Sequence, residues 1–349
     1  MKTWTITLSL VLAAPSAYAA CTGSVVGNNF VISGCDALII QSGNVQVASG
    51  NLLVQNGSDS TNTANGKGNV IIGYDATQTT PGFPTDKTGS HNLVVGDEHS
   101  YTSYGGVVTG YQNAISGPNA NVLGGRLNRS TGPFATISGG QYGQAIGGSS
   151  MVLGGWDNKA QTNFTTVAGG YQNKATTATP NDPFSISYAS VTGGANNTAS
   201  GLYAAVGGGE SNTAAGQAAA VTGGTINQAN GDWSSISGGG NNVTTGDESS
   251  VSGGDSNQAV GAMAAVSGGS GGTAFGDNSS VTGGFANFAQ GPFSTVSGGN
   301  SNSADGGKST VSGGYLNIAT GTNSTVSGGK SREAANAEDW RAGSLFEDN

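Results

Sequence analysis

The chain has 349 residues, of which 63 are glycine and only 9% are charged, and its formal net charge is −9. Ordinary domains contain about 7% glycine and about 25% charged residues, so this is not the composition of a typical globular domain. With 11 lysines and arginines and no basic run, the chain is not expected to bind nucleic acid. The eight prolines are too few for collagen or a proline-rich linker.

Residues 1–19 are predicted to be a secretory signal peptide. Lys2 supplies the positive start, the run from Ile6 to Ala14 is apolar, and Ala17-Tyr18-Ala19 fits an A-x-A cleavage site. The apolar run is too short for a transmembrane helix, and no other segment is long and apolar enough. We therefore expect a protein that is secreted or held on the outer cell surface.

Two cysteines, Cys21 and Cys35, follow the predicted cleavage site. An even cysteine count in an exported protein favours a disulfide. Their separation of 14 residues is close to one coil of the repeat described below, and neighbouring coils stack about 4.8 Å apart. That spacing lies within the usual Cα range of a disulfide. The alternative is lipidation at Cys21, although Tyr18 stands where a lipobox normally has leucine.

Residues 20–90 are predicted to form an irregular N-terminal section of strands and loops. Val70-Ile71-Ile72-Gly73 reads as an early, degenerate coil, and the stretch from Asp75 to Gly89 reads as a loop rich in proline and glycine.

Residues 91–330 are built from a short phrase, most often Val-Ser-Gly-Gly or Val-Thr-Gly-Gly, that returns at a fixed spacing. A step of 24 between Val167 and Val191 adds nine residues to the usual 15. A short fixed period is typical of a solenoid. The phrase begins at Val107, Val122, Ile137, Val152, Val167, Val191, Val206, Val221, Ile236, Val251, Val266, Val281, Val296, Val311 and Val326.

Side-chain alternation predicts how one repeat folds. Val296 points inward while its two neighbours point outward, Gly298-Gly299 forms a corner, and a second short strand carries Asn302 and Ala304 inward. Two strands and two corners give a flattened coil. The fold class is therefore all-β, a single-stranded parallel β-solenoid of 15-residue coils with short N- and C-terminal caps.

One inward column is asparagine, six residues after the valine. A buried asparagine must be hydrogen-bonded, and asparagines in a stack can bond to the coils above and below. We interpret this column as structural and not as a ligand site. Its clearest members are Asn197, Asn212, Asn227, Asn242, Asn257, Asn287, Asn302 and Asn317.

Two outward columns are rich in aromatic residues, each at a predicted corner. Exposed aromatics in a row indicate contact with something, either a neighbouring protomer or a sugar or protein ligand. Three residues before the valine stand Phe134, Phe164, Tyr188, Tyr203, Trp233 and Phe293; four residues after it stand Tyr111, Trp156, Tyr171, Phe285 and Tyr315.

The outward face of the first strand carries many hydroxyl side chains. Thr282, Thr295 and Thr310 belong to a grid of serine and threonine of the kind that suits an ice-binding solenoid. Alanine and glycine interrupt the grid, as at Ala205 and Gly207. A soluble strand face or a contact between protomers is the alternative interpretation.

The sequence contains no convincing catalytic set. Its two histidines are His91 and His99, and in Asp97-Glu98-His99 adjacent side chains on a strand point to opposite faces, so we expect no metal site. No serine stands in a nucleophile-elbow pattern and no phosphate-binding loop is present. We therefore expect a protein that is not an enzyme and binds no cofactor.

Residues 331–349 are predicted to form the C-terminal cap. The period stops at Ser331, and the charged tail carries Trp340, Leu345 and Phe346. A strap over the last coil, with these three side chains covering the core, would block the open strand edges.

The pattern Ser-x-Val-Ser-Gly-Gly-x-x-Asn-x-Ala-x-Gly resembles the head repeats of trimeric autotransporter adhesins, the YadA-like and Hep_Hag haemagglutinin repeats. Residues 91–330 carry the resemblance, which is clear from Gly89-Ser90-His91-Asn92-Leu93-Val94-Val95-Gly96 onward. It implies a left-handed parallel β-roll with three chains side by side, on a bacterial surface, binding cells, matrix or glycans. The family's coils have 14 residues, and its stalk and membrane anchor are not part of the resemblance.

The expected function is therefore that of a non-catalytic, adhesin-like homotrimer. Two alternatives stay open at this point: a structural protein that assembles end to end into an extracellular fibre or coat, and an ice-binding protein that uses the hydroxyl face.

Overall fold

The computed structural model describes residues 22–26, 29–33, 52–177 and 186–342, and in this part of the chain the structure is all-β with no helix. The predicted signal peptide, both cysteines, Leu345 and Phe346 lie outside these ranges. The chain divides into two units, Met1–Leu53 and Val54–Asn349. In the first unit, the strands Thr22–Val26 and Asn29–Ser33 pair antiparallel. A search of the described residues found no helix able to cross a membrane.

The second unit confirms the predicted parallel β-solenoid. One short strand from each coil pairs in parallel with the matching strand of the next coil, and we call this stack ladder I. Thr295 lies opposite Thr310, and Val296 lies opposite Val311. The strands of ladder I are Val70–Ile72, Leu93–Asp97, Val107–Tyr111, Asn121–Val122, Thr136–Ile137, Met151–Val152, Thr166–Val167, Ser190–Val191, Ala205–Val206, Ala220–Val221, Ser235–Ile236, Ser250–Val251, Ala265–Val266, Ser280–Val281, Thr295–Val296, Thr310–Val311, Thr325–Val326 and Trp340–Arg341.

The second strand of each coil forms a separate parallel stack of 16 strands, ladder II. Its buried member is usually alanine, as in Ala304 opposite Ala319. The strands of ladder II are Ser100–Tyr101, Ala114–Ile115, Arg129–Ser130, Gln144–Ala145, Lys159–Ala160, Lys174–Ala175, Thr198–Ala199, Thr213–Ala214, Gln228–Ala229, Val243–Thr244, Gln258–Ala259, Thr273–Ala274, Phe288–Ala289, Ser303–Ala304, Ile318–Ala319 and Glu333–Ala334.

Each coil also has a third paired side, which the sequence did not predict. From Arg126 to Lys330, the residue four positions after the buried valine or isoleucine forms a parallel bridge with its counterpart in the next coil; we call this stack ladder III. The coil therefore has three hydrogen-bonded sides, and the expectation of a flattened coil with two strands and two corners is incomplete. The column that begins with Tyr111 lies on ladder III and not at a free corner.

The first coils are one residue shorter than the others. Val94 pairs with Val108, and Val108 pairs with Val122, so buried valines are first 14 residues apart. From Val122 to Ile137 and beyond, the spacing is 15, apart from the step of 24. The assignment of Val107 as the inward residue is thus wrong, because Val108 is the buried one. Ladder I also begins at Val70–Ile72, before the predicted boundary at residue 91.

The nine-residue insertion does not disturb the register. Thr166–Val167 pairs with Ser190–Val191, and Lys174–Ala175 pairs with Thr198–Ala199, as in neighbouring coils without an insertion. The additional residues therefore leave and rejoin the stack between two complete coils.

The two glycines of the repeated phrase have different roles. The second glycine, such as Gly140, has a φ of 86°, and a Cβ there would overlap the carbonyl oxygen of Gly155 in the next coil. The first, such as Gly139, has open space around it. Val108 and Gly110 are two residues apart in a short coil, whereas Val122 and the corresponding glycine are three apart. The first glycine is therefore the residue that lengthens the coil to 15.

The core is a narrow stack of small side chains. Val296 and Ala304 have no exposed surface, and Ser294 is buried beside them, as the alternation predicts. Because each coil contributes only a valine, an alanine and one small residue, regular backbone pairing must supply much of the order that a larger core would give.

The asparagine column links the three sides of each coil. Asn242 is fully buried; its Nδ2 donates to the carbonyl oxygen of Gly238 at 2.9 Å and to that of Gly254, one coil on, at 3.0 Å. Its Oδ1 accepts from the backbone N–H of Asn257 at 3.0 Å. The same three bonds recur along the column, so each asparagine closes its own corner and holds the next coil.

Coil structure continues past the predicted boundary at residue 330. Glu333–Ala334 pairs with Ile318–Ala319, and Trp340–Arg341 pairs with Thr325–Val326. The expectation that Trp340 covers the core is wrong: its side chain is 64% exposed and its Nε1 donates to Ser327 Oγ at 2.9 Å. Trp340 pairs with the outward position of ladder I, which explains why it points away from the core.

Candidate functional site

The aromatic column that precedes each valine forms an exposed corner, which we call the corner row: Phe134, Phe164, Tyr188, Tyr203, Trp233 and Phe293. These side chains are between 44% and 61% exposed. All six residues have positive φ, from 52° to 62°. Because one backbone conformation recurs in every coil, side chains of this column lie directly above one another along the solenoid.

The second aromatic column, the bridge row, consists of Tyr111, Trp156, Tyr171, Phe285 and Tyr315 on ladder III. These side chains are between 37% and 56% exposed. Their backbone pairs with the coils on either side, so the side chains are carried by ordered structure and not by a free loop.

Part of each row is a stack of parallel rings. In the corner row, Phe164 and Tyr188 have ring centroids 5.2 Å apart, and Tyr188 and Tyr203 have centroids 5.1 Å apart with planes at 2°. In the bridge row, Trp156 and Tyr171 are 4.9 Å apart with planes at 5°. The insertion after residue 177 brings no break in the corner-row stack, because the register is kept across it.

Cations cover two rings at the ends of the bridge row. The guanidinium of Arg126 lies 5.5 Å from the ring centroid of Tyr111, and the ammonium of Lys330 lies 5.6 Å from that of Tyr315. Each cation comes from the next coil at the same column. The faces of these two tyrosines are thus already in contact with the protein, and the available ring surface lies in the central coils.

The two rows border the outward face of ladder I, three residues before and four residues after the buried valine. Between them lies the hydroxyl grid, with Thr282 exposed and Thr295 and Thr310 half-buried. Ser280 Oγ donates to Thr295 Oγ1 at 3.2 Å. Ala205 and Gly207 leave the same face without hydroxyls in an earlier coil. The sequence-predicted columns therefore lie together on one surface, with small polar residues between two aromatic edges.

The acidic cluster near the start of the solenoid is a structural network. Glu98 accepts from Tyr111 Oη and Gln112 Nε2, both at 2.8 Å, and from Thr79. The hydrogen bond from Gln112, followed by those from Thr79 and Tyr111, lowers the pKa of Glu98 to about 2. Asp97 Oδ1 accepts from the backbone N–H of Ala76 at 2.8 Å.

The two histidines lie apart from each other in function. His91 Nε2 accepts from the backbone N–H of Asn56 at 3.3 Å. His99 is buried, and its two ring nitrogens face the backbone of Asn113 and Val95. Within the described ranges, no three histidine, cysteine, aspartate or glutamate side chains are grouped as metal ligands.

Sequence reasoning missed one member of the aromatic surface. Tyr142 packs edge-on against Trp156, with ring centroids 5.6 Å apart and planes at 78°. It belongs to neither aromatic column, because it stands five residues after Ile137. The signal was available: it is the neighbour of ladder III and carries a ring one coil before Trp156.

The chain matches none of the protein-family models and none of the curated proteins with which it was compared. The class that fold and surface define is a parallel β-solenoid with two exposed aromatic rows.

Proposed function

We propose that this chain is a non-catalytic, adhesin-like protein that is secreted or held on a bacterial surface and binds cells, matrix or glycans. The observation that carries the proposal is the pair of aromatic rows, exposed yet fixed on a paired backbone. Exposed aromatic patches of this kind mark sites of contact, and rings on a rigid scaffold lose little conformational entropy on binding. The repeat resemblance to trimeric adhesin heads supports the same conclusion.

Repetition suits this function because identical sites along a rod act together. Coils stack about 4.8 Å apart, so equivalent residues recur at short, regular intervals along the axis. Several weak contacts on one rod give an avidity much greater than any single contact. A net charge of −9 with few cations favours neutral partners over polyanions.

The test is adhesion of beads coated with the purified protein to cultured cells, immobilised collagen and mucin. A variant with Trp156→Ser, Tyr171→Ser, Tyr188→Ser and Tyr203→Ser should lose most of the adhesion. Serine is native to both columns, at Ser149 and Ser270, so the fold should tolerate these changes. A control with Phe275→Ser and Phe288→Ser removes exposed rings outside both rows and should adhere like wild type.

The outcomes separate this function from its alternatives. Absence of wild-type adhesion to all three surfaces contradicts the proposal, and so does equal loss in the control. Open-ended polymer in light scattering would favour the fibre, and thermal hysteresis lost on replacing Thr282, Thr295 and Thr310 would favour ice binding.

The proposal includes a homotrimer, as the resemblance implies. Light scattering of the purified protein should give about three times the mass of one chain. A monomer would contradict the trimer and leave the aromatic rows of each chain as independent surfaces.

A further inference from the structure

The corner row has a backbone conformation that does not favour its residues. At positive φ near 55°, glycine and asparagine are the preferred residues, and a bulky side chain is strained. Asn278 and Asn323 follow that preference in the same column, with φ of 57° and 59°. Trp233 has a φ of 55° but is 56% exposed, so burial does not offset the strain. Strained positions of this kind cluster at functional sites.

Two interruptions in the corner row create gaps between rings, which we call the ring slots. In the first slot, Ser149 separates Phe134 from Phe164; in the second, Ala218 separates Tyr203 from Trp233. Both small residues share the positive φ of the row, at 54° and 53°.

The width of a ring slot matches one missing ring. Where the row is continuous, Tyr188 and Tyr203 have centroids 5.1 Å apart. Across a slot, the two flanking rings are two coils apart, or about 10 Å. One six-membered ring inserted between them would therefore contact a ring on each face, at the spacing seen inside the row.

Polar groups stand beside the second slot. Asp232 precedes Trp233, and its Oδ1 accepts from the backbone N–H of Gln217 at 2.8 Å, which fixes the carboxylate next to Ala218. Within the described part of the chain, the Tyr203 hydroxyl and Trp233 Nε1 have no hydrogen-bond partner. The slot thus combines two apolar ring faces with a carboxylate, a hydroxyl and an N–H near its opening.

We propose that each ring slot binds the terminal pyranose ring of a neutral glycan; this deepens the proposed function and rests on it. A pyranose has two faces of C–H groups that stack on aromatic rings and an edge of hydroxyls that needs hydrogen-bond partners. The slot lies across the solenoid axis and opens outward at the corner, so one ring enters and the rest of the glycan points away. The Asp232 carboxylate disfavours acidic sugars at the second slot.

The two slots act as a pair. Ser149 and Ala218 are four coils apart, so the slots are about 19 Å apart along the axis. A branched or densely packed glycan layer could occupy both at once, which strengthens weak single-ring binding.

The test fills the slots with the protein's own rings. Ala218→Phe and Ser149→Phe complete the row, and the backbone tolerates them because six coils already carry aromatics at this position. The probes are soluble trisaccharides ending in glucose, mannose, galactose or N-acetylglucosamine. Saturation-transfer NMR should detect at least one of them on the wild type, and Trp233 fluorescence should change on binding.

We expect the double variant to bind that trisaccharide about tenfold more weakly or not at all, corresponding to at least about 1.4 kcal/mol. The matched control is Asn278→Phe, which adds a ring beside Phe293 without filling a slot and should bind like wild type. Equal thermal unfolding of the three proteins verifies that all are folded.

Three results would overturn the slot assignment. The first is that none of the trisaccharides binds wild type, and the second is that the double variant binds as well as wild type. The third is that filling the slots lowers the mass in light scattering, which would make a ring from a second copy the occupant. Bead adhesion of the same variants separates the proposals: if wild type and double variant adhere equally, the adhesin function stands without the slots.

Discussion

The short coils at the start of the solenoid and the long coils that follow close the same corner by different means. In the short coil from Leu93, Glu98 is held by Tyr111, Gln112 and Thr79, and Asp97 is held by Ala76. In the long coils, a glycine pair and one buried asparagine make the corner with bonds to the backbone alone.

This difference explains which part of the molecule can repeat. Bonds from asparagine to backbone depend on no particular neighbour, so the long coil can be copied from Val122 onward with free choice of outward residues. The short coils depend on individual side chains from the loop between residues 73 and 90, which occur once. Aromatic rows can therefore vary on the long coils, while the short coils hold titratable groups in fixed contacts.

The sharpest test of the long coils is a charge in their core. Val251→Lys places an ammonium in a column that is 1% exposed, and we expect a loss of roughly 5 kcal/mol, since burial can shift a lysine pKa by three to five units. Ser252→Lys, one residue on, points outward and should cost less than about 0.5 kcal/mol. Urea unfolding monitored by circular dichroism measures both; equal losses would contradict the assigned facing.

The two glycines of one pair should differ in the same way. A Cβ on Gly224, where φ is 88°, would overlap the carbonyl oxygen of Gly239, so Gly224→Ala should cost about 3 kcal/mol or more. Gly223→Ala meets open space and should cost under about 1 kcal/mol. Thermal unfolding of the pair decides this, and a larger effect at Gly223 would show that the first glycine is needed for more than coil length.

Removing one asparagine tests whether the ladder is structural. Asn242→Ala leaves the carbonyl of Gly254 and the N–H of Asn257 without their partners, and we expect a loss of about 2 kcal/mol. The control, Asn230→Ala, changes an exposed asparagine and should be nearly neutral. Hydrogen exchange should show the loss concentrated in the adjacent coils; uniform protection in both variants would count against the ladder.

The smallest effect is expected in a short coil and depends on pH. His99 stands in the ladder position that Asn113 takes in the next coil: its Nδ1 accepts from Asn113 N–H at 3.2 Å, and its Nε2 lies 3.1 Å from Val95 O. Burial lowers the pKa of His99 below 6.5, against the opposing effects of the Val95 and Asn113 bonds and the charges of Asp75 and Asp97.

A lowered folded-state pKa means that His99 contributes fully to stability above pH 6.5 and that this contribution is lost as the pH falls toward the folded-state value. Hydrogen exchange at about pH 7.5 and about pH 5 should show weaker protection of the Asn113 amide at the lower pH, after correction for the intrinsic rate. His99→Asn keeps an acceptor for Asn113 without a titrating ring, so its protection should not change. An equal change in both proteins would exclude His99 as the cause.

Much of the fold follows from particular residues of the sequence. The fixed return of the Val-Ser-Gly-Gly phrase predicts a solenoid, and alternation around Val296 correctly places it, Ser294, Asn302 and Ala304 inside. What the phrase did not show is that Val107 is one residue out of register, because the difference between 14 and 15 residues depends on which valine meets its neighbour in the stack. The third side of the coil was missed for the same reason, since a one-residue bridge at Trp156 has no periodic pattern of its own.

The candidate surface divides in a similar way. The sequence by itself determined the two aromatic columns, because equal spacing places residues at equal positions in successive coils. Only the tertiary structure decided that Phe164, Tyr188 and Tyr203 stack continuously across an insertion, and that Trp340 lies outside the core. The physical reason is that sequence spacing fixes the order of side chains along a column, whereas hydrogen-bond register between coils fixes which rings meet and which gaps stay open.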